Sequence, residues 1–151
     1  MLVAQISDLH VAEGRGLAFN VADGMLLLEK TVAHLATLPQ QPDCVVVSGD
    51  ISVNGQSGGY ALAADALGTL AMPVYVIPGN HDKRGNLVAG LGRFCPADPA
   101  VAPYLCYTVE DYPLRLVFFD GTRPGSHSGH FDAQVAQWLE QTLAAQPERP
   151  T

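Results

Sequence analysis

Residues 43–50, Asp43-Cys44-Val45-Val46-Val47-Ser48-Gly49-Asp50, decide how the rest of the chain is read. A β-branched run too short for a helix ends in a glycine and a carboxylate, which predicts a buried strand opening onto a polar loop. The pattern recurs on both sides. Upstream, Leu2-Val3-Ala4-Gln5-Ile6 leads into Ser7-Asp8-Leu9-His10; downstream, Pro73-Val74-Tyr75-Val76-Ile77 leads into Pro78-Gly79-Asn80-His81-Asp82. Between the first two runs, Val21, Met25, Leu28, Val32, Leu35 and Leu38 recur at three- and four-residue intervals. A helix is expected there, capped by Asn20 or Asp23 and ended by Pro39. A second helix is expected from Tyr60 to near Leu70, after Ser57 and two glycines.

Strands alternating with helices imply an α/β fold with parallel pairing and right-handed crossovers, and uniformly apolar strands imply a sheet covered on both faces. Ligands of such sheets bind beyond the carboxyl ends of the strands, where all three polar cassettes fall. From Leu87 to Pro103 the pattern weakens into a Gly- and Pro-rich connection. Tyr104 to Val109 and Leu114 to Phe119 then read as a hairpin. Asp132 is positioned to cap a last helix bearing Val135, Trp138, Leu139 and Leu143, and Gln146 to Thr151 reads as a polar exit loop.

Composition narrows the partners. With 8 basic and 15 acidic residues the net charge is -7, which repels a phosphate backbone, so large nucleic acids are not expected. Cys44, Cys95 and Cys106 are odd in number and lack paired spacing, so neither a disulfide framework nor a thiolate zinc site is indicated, and a cytoplasmic setting is expected. No apolar stretch approaches the roughly 18 residues that span a bilayer, and no membrane association is expected.

The cassettes carry chemistry. Asp8 and His10 are two apart, so in extended backbone their side chains share a face and converge on one cation; carboxylate with imidazole suits Zn, Fe, Mn or Co. Asp50 has two oxygens with which to bridge two cations, and Gly49 lets backbone and ligand approach closely. Asn80 offers a neutral carbonyl oxygen to a second cation. His81 can stabilise or protonate a departing oxygen, with Asp82 orienting it. Taken singly, Asp8-Leu9-His10 and Gly49-Asp50 read better as a capped or Asx turn, and Asn80-His81-Asp82 reads well as a polar turn; their joint occurrence at three successive strand ends points to a metal site.

Ile6-Ser7-Asp8-Leu9-His10, Val47-Ser48-Gly49-Asp50-Ile51 and Pro78-Gly79-Asn80-His81-Asp82 resemble the first three signature blocks of the calcineurin-like metallophosphoesterases. Within that superfamily the chain is most similar to the bacterial glycerophosphodiesterases and class III cyclic-nucleotide phosphodiesterases. The resemblance implies the N-terminal portion of an αββα sandwich, a mainly parallel sheet with flanking helices plus a hairpin. It also implies two divalent metal ions, Asp8 and His10 on the first, Asp50 bridging, Asn80 on the second, and catalytic His81 on the substrate side. A metal-bridging hydroxide would then attack a small phosphodiester in line. The family continues with one metal-binding histidine and a Gly-His-x-His block that are not found here. Residues 1–151 are therefore expected to form a single, C-terminally incomplete metallophosphoesterase domain.

His127 and His130 superficially resemble the Gly-His-x-His block but are assigned to the loop before the last helix, which the missing blocks should follow. Arg84 reads as an exposed loop arginine ahead of a phosphate-pairing one, Cys44 as core, and His34 as a structural or surface residue of the first helix. The alternative function is a non-catalytic module that binds metal weakly or acts through oligomerisation. A homo-oligomer is expected under either reading, because an unpaired apolar edge needs cover.

Overall fold

A computed structural model describes residues Met1–Thr151. Three strands, β1 (Val3–Ile6), β2 (Cys44–Val47) and β3 (Val74–Val76), form a parallel sheet in the order β1-β2-β3. The register aligns Ala4 with Val45 and Val74, and Ile6 with Val47 and Val76, so these six side chains share one face. That face meets α1 (Gly24–Thr37) and α2 (Ser57–Leu67). Helix α1 contributes Met25, Leu28, Val32 and Leu35, and α2 contributes Tyr60, Ala63 and Leu67, all to one core. Asp23 caps α1, its carboxylate accepting from the Leu26 amide at 2.9 Å.

The opposite face carries Val3, Gln5, Val46 and Tyr75, and its covering differs from the expectation. The antiparallel hairpin of β4 (Tyr107–Val109) and β5 (Leu116–Phe118) packs over the β3 side, with Tyr75 5.7 Å from Phe118 by ring centroids. The Tyr107 hydroxyl donates to the Val76 carbonyl at 2.7 Å. Over β1 nothing replaces the hairpin, so Val3 is 41% exposed and Gln5 is exposed as well. Apolar composition predicted two covered faces; the hairpin is wide enough to supply the second only over β2 and β3.

Two further segments depart from the sequence reading. Residues expected as irregular include helix α3 (Arg84–Leu91), hidden by Gly85 and Gly90, which lower helix propensity. Its apolar signal reduces to Leu87 and Leu91, one turn apart and fully buried. Gly90 is what lets α3 approach α2: a Cβ there would lie 2.7 Å from the Tyr60 Cβ. The C-terminal residues do not exit. The Pro150 carbonyl accepts from the Arg115 amide at 2.8 Å, and Arg149 pairs with Glu110 at 2.8 Å, tying the tail to the hairpin. The last helix, α4 (Ala133–Ala144), is capped by Asp132 and buries Val135 against Val101 and Cys106.

Candidate metal centre

Beyond the last paired residues of β1 and β2 the two chains stay stitched together. The Asp8 amide donates to the Gly49 carbonyl (3.1 Å), His10 to Asp50 (2.9 Å) and Val11 to Ile51 (2.9 Å). Within this ribbon Asp8, His10 and Asp50 all hold left-handed backbone, with φ of 57°, 43° and 51°. The expectation that Asp8 and His10 converge through extended backbone is therefore corrected: left-handed residues on either side of Leu9 bring them together. Non-glycine residues in this region are uncommon, and strain of this kind concentrates at functional sites. Here three instances coincide, and ligand atoms of Asp8, His10 and Asp50 lie within 4.8 Å of one another.

This donor set fits a cation. Asp8 and Asp50 are like charges at close range, and neither is paired with a lysine or arginine; His10 Nε2 approaches Asp8 at 3.8 Å. The second ring nitrogen, His10 Nδ1, is buried with no hydrogen-bond partner. An oxygen-rich set with one imidazole suits a divalent transition metal, and Asp8, His10 and Asp50 are the residues that would hold it.

The third cassette is locked to the second through Asp82. Its carboxylate is not turned toward His81, as the sequence suggested. It accepts from the amides of Ile51 (3.1 Å), Ser52 (3.1 Å) and Gly79 (2.8 Å) and from the Tyr60 hydroxyl (2.9 Å). Burial pushes this carboxyl above its ordinary value even though all four hydrogen bonds act to lower it. The Tyr60 phenol, raised chiefly by its own burial, also accepts from the Lys83 amide at 2.9 Å. Asp82 is thus a strut between loops. His81 is oriented instead through its backbone, whose amide donates to Asp50 Oδ1 at 2.9 Å.

Gly79 makes that geometry possible. A Cβ at position 79 would strike the Asp50 carboxylate and amide, and one at Gly49 would lie 2.7 Å from the Gly79 Cα. Gly79→Ala should therefore destabilise the chain by about 1–3 kcal/mol through overpacking. It should also weaken divalent-cation binding more than the fold, because Asp50 must move. Urea unfolding set beside a calorimetric Mn(II) titration reads both, and unchanged cation affinity would count against Asp50 as a ligand.

Around the carboxylates stands a row of rings. His10 and His81 meet edge-on at 5.1 Å between centroids, Phe19 touches both at 5.3 and 5.6 Å, and His127 lies 5.6 Å from His81. His127 does belong to the loop preceding α4, yet that loop returns to the site, and Asn80 Nδ2 lies 3.0 Å from His127 Nδ1. The local pattern locates the loop in the chain but carries no signal of where it folds back to. His130 is exposed and approaches Asp132, and His34 is an exposed residue of α1. Cys44 is fully buried.

Arg84 follows neither sequence reading. Its guanidinium grips Asp120, Nε to Oδ2 at 2.5 Å and Nη2 to Oδ1 at 3.1 Å, and Nη2 also donates to the Thr122 carbonyl at 2.6 Å. Asp120 is 1% exposed. Burial alone would raise its carboxyl, but hydrogen bonds from Arg84, Thr122 and Leu105 hold it below the ordinary value. This clasp ties the start of α3 to the end of β5. A cleft of about 560 Å³ beside it is lined by Asn80, His81, Lys83, Arg123, Ser126 and His127, among others, with Pro124 the one apolar side chain.

A sequence model described as calcineurin-like phosphoesterase matches residues 1–149. The chain is 32% identical over 149 residues to a probable glycerophosphodiester phosphodiesterase of Arcobacter nitrofigilis, covering 99% of this chain and 54% of that protein. It is 33% identical over 151 residues to a glycerophosphodiester phosphodiesterase of Enterobacter lignolyticus, covering 100% and 54%. Identity to a 3',5'-cyclic adenosine monophosphate phosphodiesterase of Pseudomonas aeruginosa is 26% over 149 residues, covering 99% and 52%. The chain spans about half the length of the curated relatives it matches.

Proposed function

Because the chain belongs to the calcineurin-like phosphoesterase family, we propose that it is a metal-dependent hydrolase of small phosphodiesters. Glycerophosphodiesters are the first substrate class and cyclic nucleotides the second. The observation that carries this is the meeting of Asp8, His10 and Asp50 within 4.8 Å at the carboxyl ends of two adjacent parallel strands. In this reading Asp8 and His10 serve one cation, Asp50 bridges, and Asn80 serves a second, the identity lying among Fe, Mn, Zn and Co. Two such cations supply an acidified water and a clamp on the phosphoryl oxygens. The protein's part is positional. Asp82 and Tyr60 hold the second and third cassettes at fixed separation, and the Asp50 carboxylate holds the His81 amide. His81 stands beside the cleft, where an imidazole can stabilise or protonate the departing oxygen.

The non-catalytic module is the weaker reading, since the relatives carry enzyme names and the first three ligands are gathered rather than dispersed. A cytoplasmic setting and a homo-oligomer covering the open β1 edge belong to the same proposal; no helix is long and apolar enough to cross a membrane. The test is metal dependence. The 151-residue chain, stripped with chelator, should leave bis(p-nitrophenyl) phosphate intact and hydrolyse it after addition of Mn(II), Co(II) or Zn(II). Glycerophosphodiester and 3',5'-cyclic nucleotide are then compared under the best metal. Hydrolysis indifferent to chelation, or absent with every metal, would overturn the proposal.

A further inference from the structure

The loop between β5 and α4 is built to deliver one side chain. The Arg84–Asp120 clasp pins its start, the His130 amide donates to the Gly121 carbonyl at 2.8 Å and closes its neck, and Phe119 meets Phe131 edge-on at 5.9 Å. Inside the closed loop the Ser126 amide donates to the Arg123 carbonyl and the Ser128 amide to the Ser126 hydroxyl, both at 3.1 Å. His127 sits between these turns, against Asn80 and beside the His81 ring.

We infer that His127 is a positioning residue that holds the Asn80 amide nitrogen, so that the Asn80 carbonyl oxygen is left to serve the second cation. The inference rests on the two-cation reading above and assigns a role to a residue that reading does not use. An asparagine amide presents an acceptor on one side and only donors on the other, and nothing in its own bonding chooses between the two orientations. With Nδ2 donating, His127 Nδ1 is the acceptor and its ring proton resides on Nε2. Turned the other way, the carbonyl would be occupied by His127 and an NH2 group, which cannot ligate a cation, would be left for the site. The Asn80 backbone is already fixed, since Gly79 before it packs on Asp50 and the His81 amide after it is bonded to Asp50. The side-chain torsions are the remaining freedom, and the contact with His127 restrains them. This is the part that outer partners play for ligating side chains, where their loss costs roughly 10–100-fold in metal affinity.

The experiment has a metal-free arm and a metal arm. In the chelated chain the Asn80 side-chain amide resonances, identified by their absence in Asn80→Asp, should be displaced from those of exposed asparagines. They should collapse onto them in His127→Ala and stay displaced in His127→Gln, whose carbonyl restores an acceptor. In a Mn(II) titration the first cation, identified by its loss in Asp8→Asn, should bind all three of wild type, His127→Ala and His127→Gln alike. The second should weaken about 10–100-fold in His127→Ala and recover to within several-fold in His127→Gln. Unfolding midpoints should stay together, because the side chain is exposed.

An Asn80 amide indifferent to His127→Ala would overturn the inference. So would a second cation held equally well without the imidazole, or one whose loss His127→Gln does not repair. Absence of cation binding in the wild type would refute the two-cation reading, and the amide resonances alone would then decide whether His127 holds Asn80.

Discussion

Asp50→Asn should reduce divalent-cation affinity by more than roughly 100-fold, beyond the range seen for outer partners of a ligand, and should bring phosphodiester hydrolysis down with it. The substitution isolates charge from structure. Position 50 sits at φ 51°, a conformation that asparagine tolerates better than most residues. An Asn oxygen at the Oδ1 position can still accept the His81 amide, now at 2.9 Å from the carboxylate. The Gly79 packing against residue 50 is isosteric in the two proteins. What disappears is one negative charge and one of two oxygens able to face separate cations. Unfolding free energy should therefore change by less than about 1 kcal/mol in the absence of metal, as expected where no cavity or unpaired buried group is created. Calorimetric Mn(II) titration and turnover of bis(p-nitrophenyl) phosphate read the loss, and urea unfolding checks the fold. A variant that binds metal and turns over as the wild type does would remove Asp50 from the site.

The largest expected loss of stability belongs to Arg84→Met, at about 3–5 kcal/mol, because breaking a buried pair leaves an uncompensated charge. Asp120 has a side chain that is 0% exposed and that of Arg84 is 17% exposed, so little water reaches the carboxylate once the guanidinium is gone. The Thr122 carbonyl loses a donor as well, and the Tyr104 ring loses a cation 4.8 Å from its centroid. The double variant Arg84→Met, Asp120→Asn should recover part of the cost, since a neutral amide is cheaper to bury unpaired than a carboxylate.

pH gives this prediction a second readout. In the wild type the Asp120 carboxyl is held below its ordinary value of 3.8. Its contribution is therefore fully present above that value and is lost as pH falls through the lower folded one. In Arg84→Met the Arg84 bonds that lower it are gone while burial remains, so the folded value rises and the stability lost at low pH through this group shrinks. Urea midpoints between pH 3 and pH 7 measure both slopes. A single-variant cost under about 1 kcal/mol with an unaltered slope would show that the pair is not buried in solution.

Features set by nearby residues are legible in the sequence, and those set by distant partners are not. The three strands, α1, α2 and α4 with their caps at Asp23 and Asp132, and the hairpin are all foreshadowed by patterns no longer than a few turns. Helix α3 was invisible because its evidence in the chain is two leucines against two glycines, and its stability comes from packing on α2. By sequence Asp82 reads as the partner of its neighbour His81, yet the donors that claim it come from Ile51, Ser52 and Tyr60, some 20 to 30 residues away. Arg84 read as exposed because its partner, Asp120, is 36 residues distant.

What the sequence by itself determined is the inventory and its order: apolar strands that end in Asp8, His10, Asp50, Asn80 and His81, on a parallel framework whose carboxyl ends face one way. Period, cap and turn chemistry are local, so they are written locally. The tertiary structure alone decided how those residues meet. Left-handed turns at Asp8, His10 and Asp50 are held by amides of the adjoining ribbon, and His127 reaches Asn80 across 47 residues because the Asp120 clasp fixes the loop that carries it. Such placements depend on hydrogen bonds and packing between segments remote in the chain, and no short pattern encodes a partner that only folding supplies.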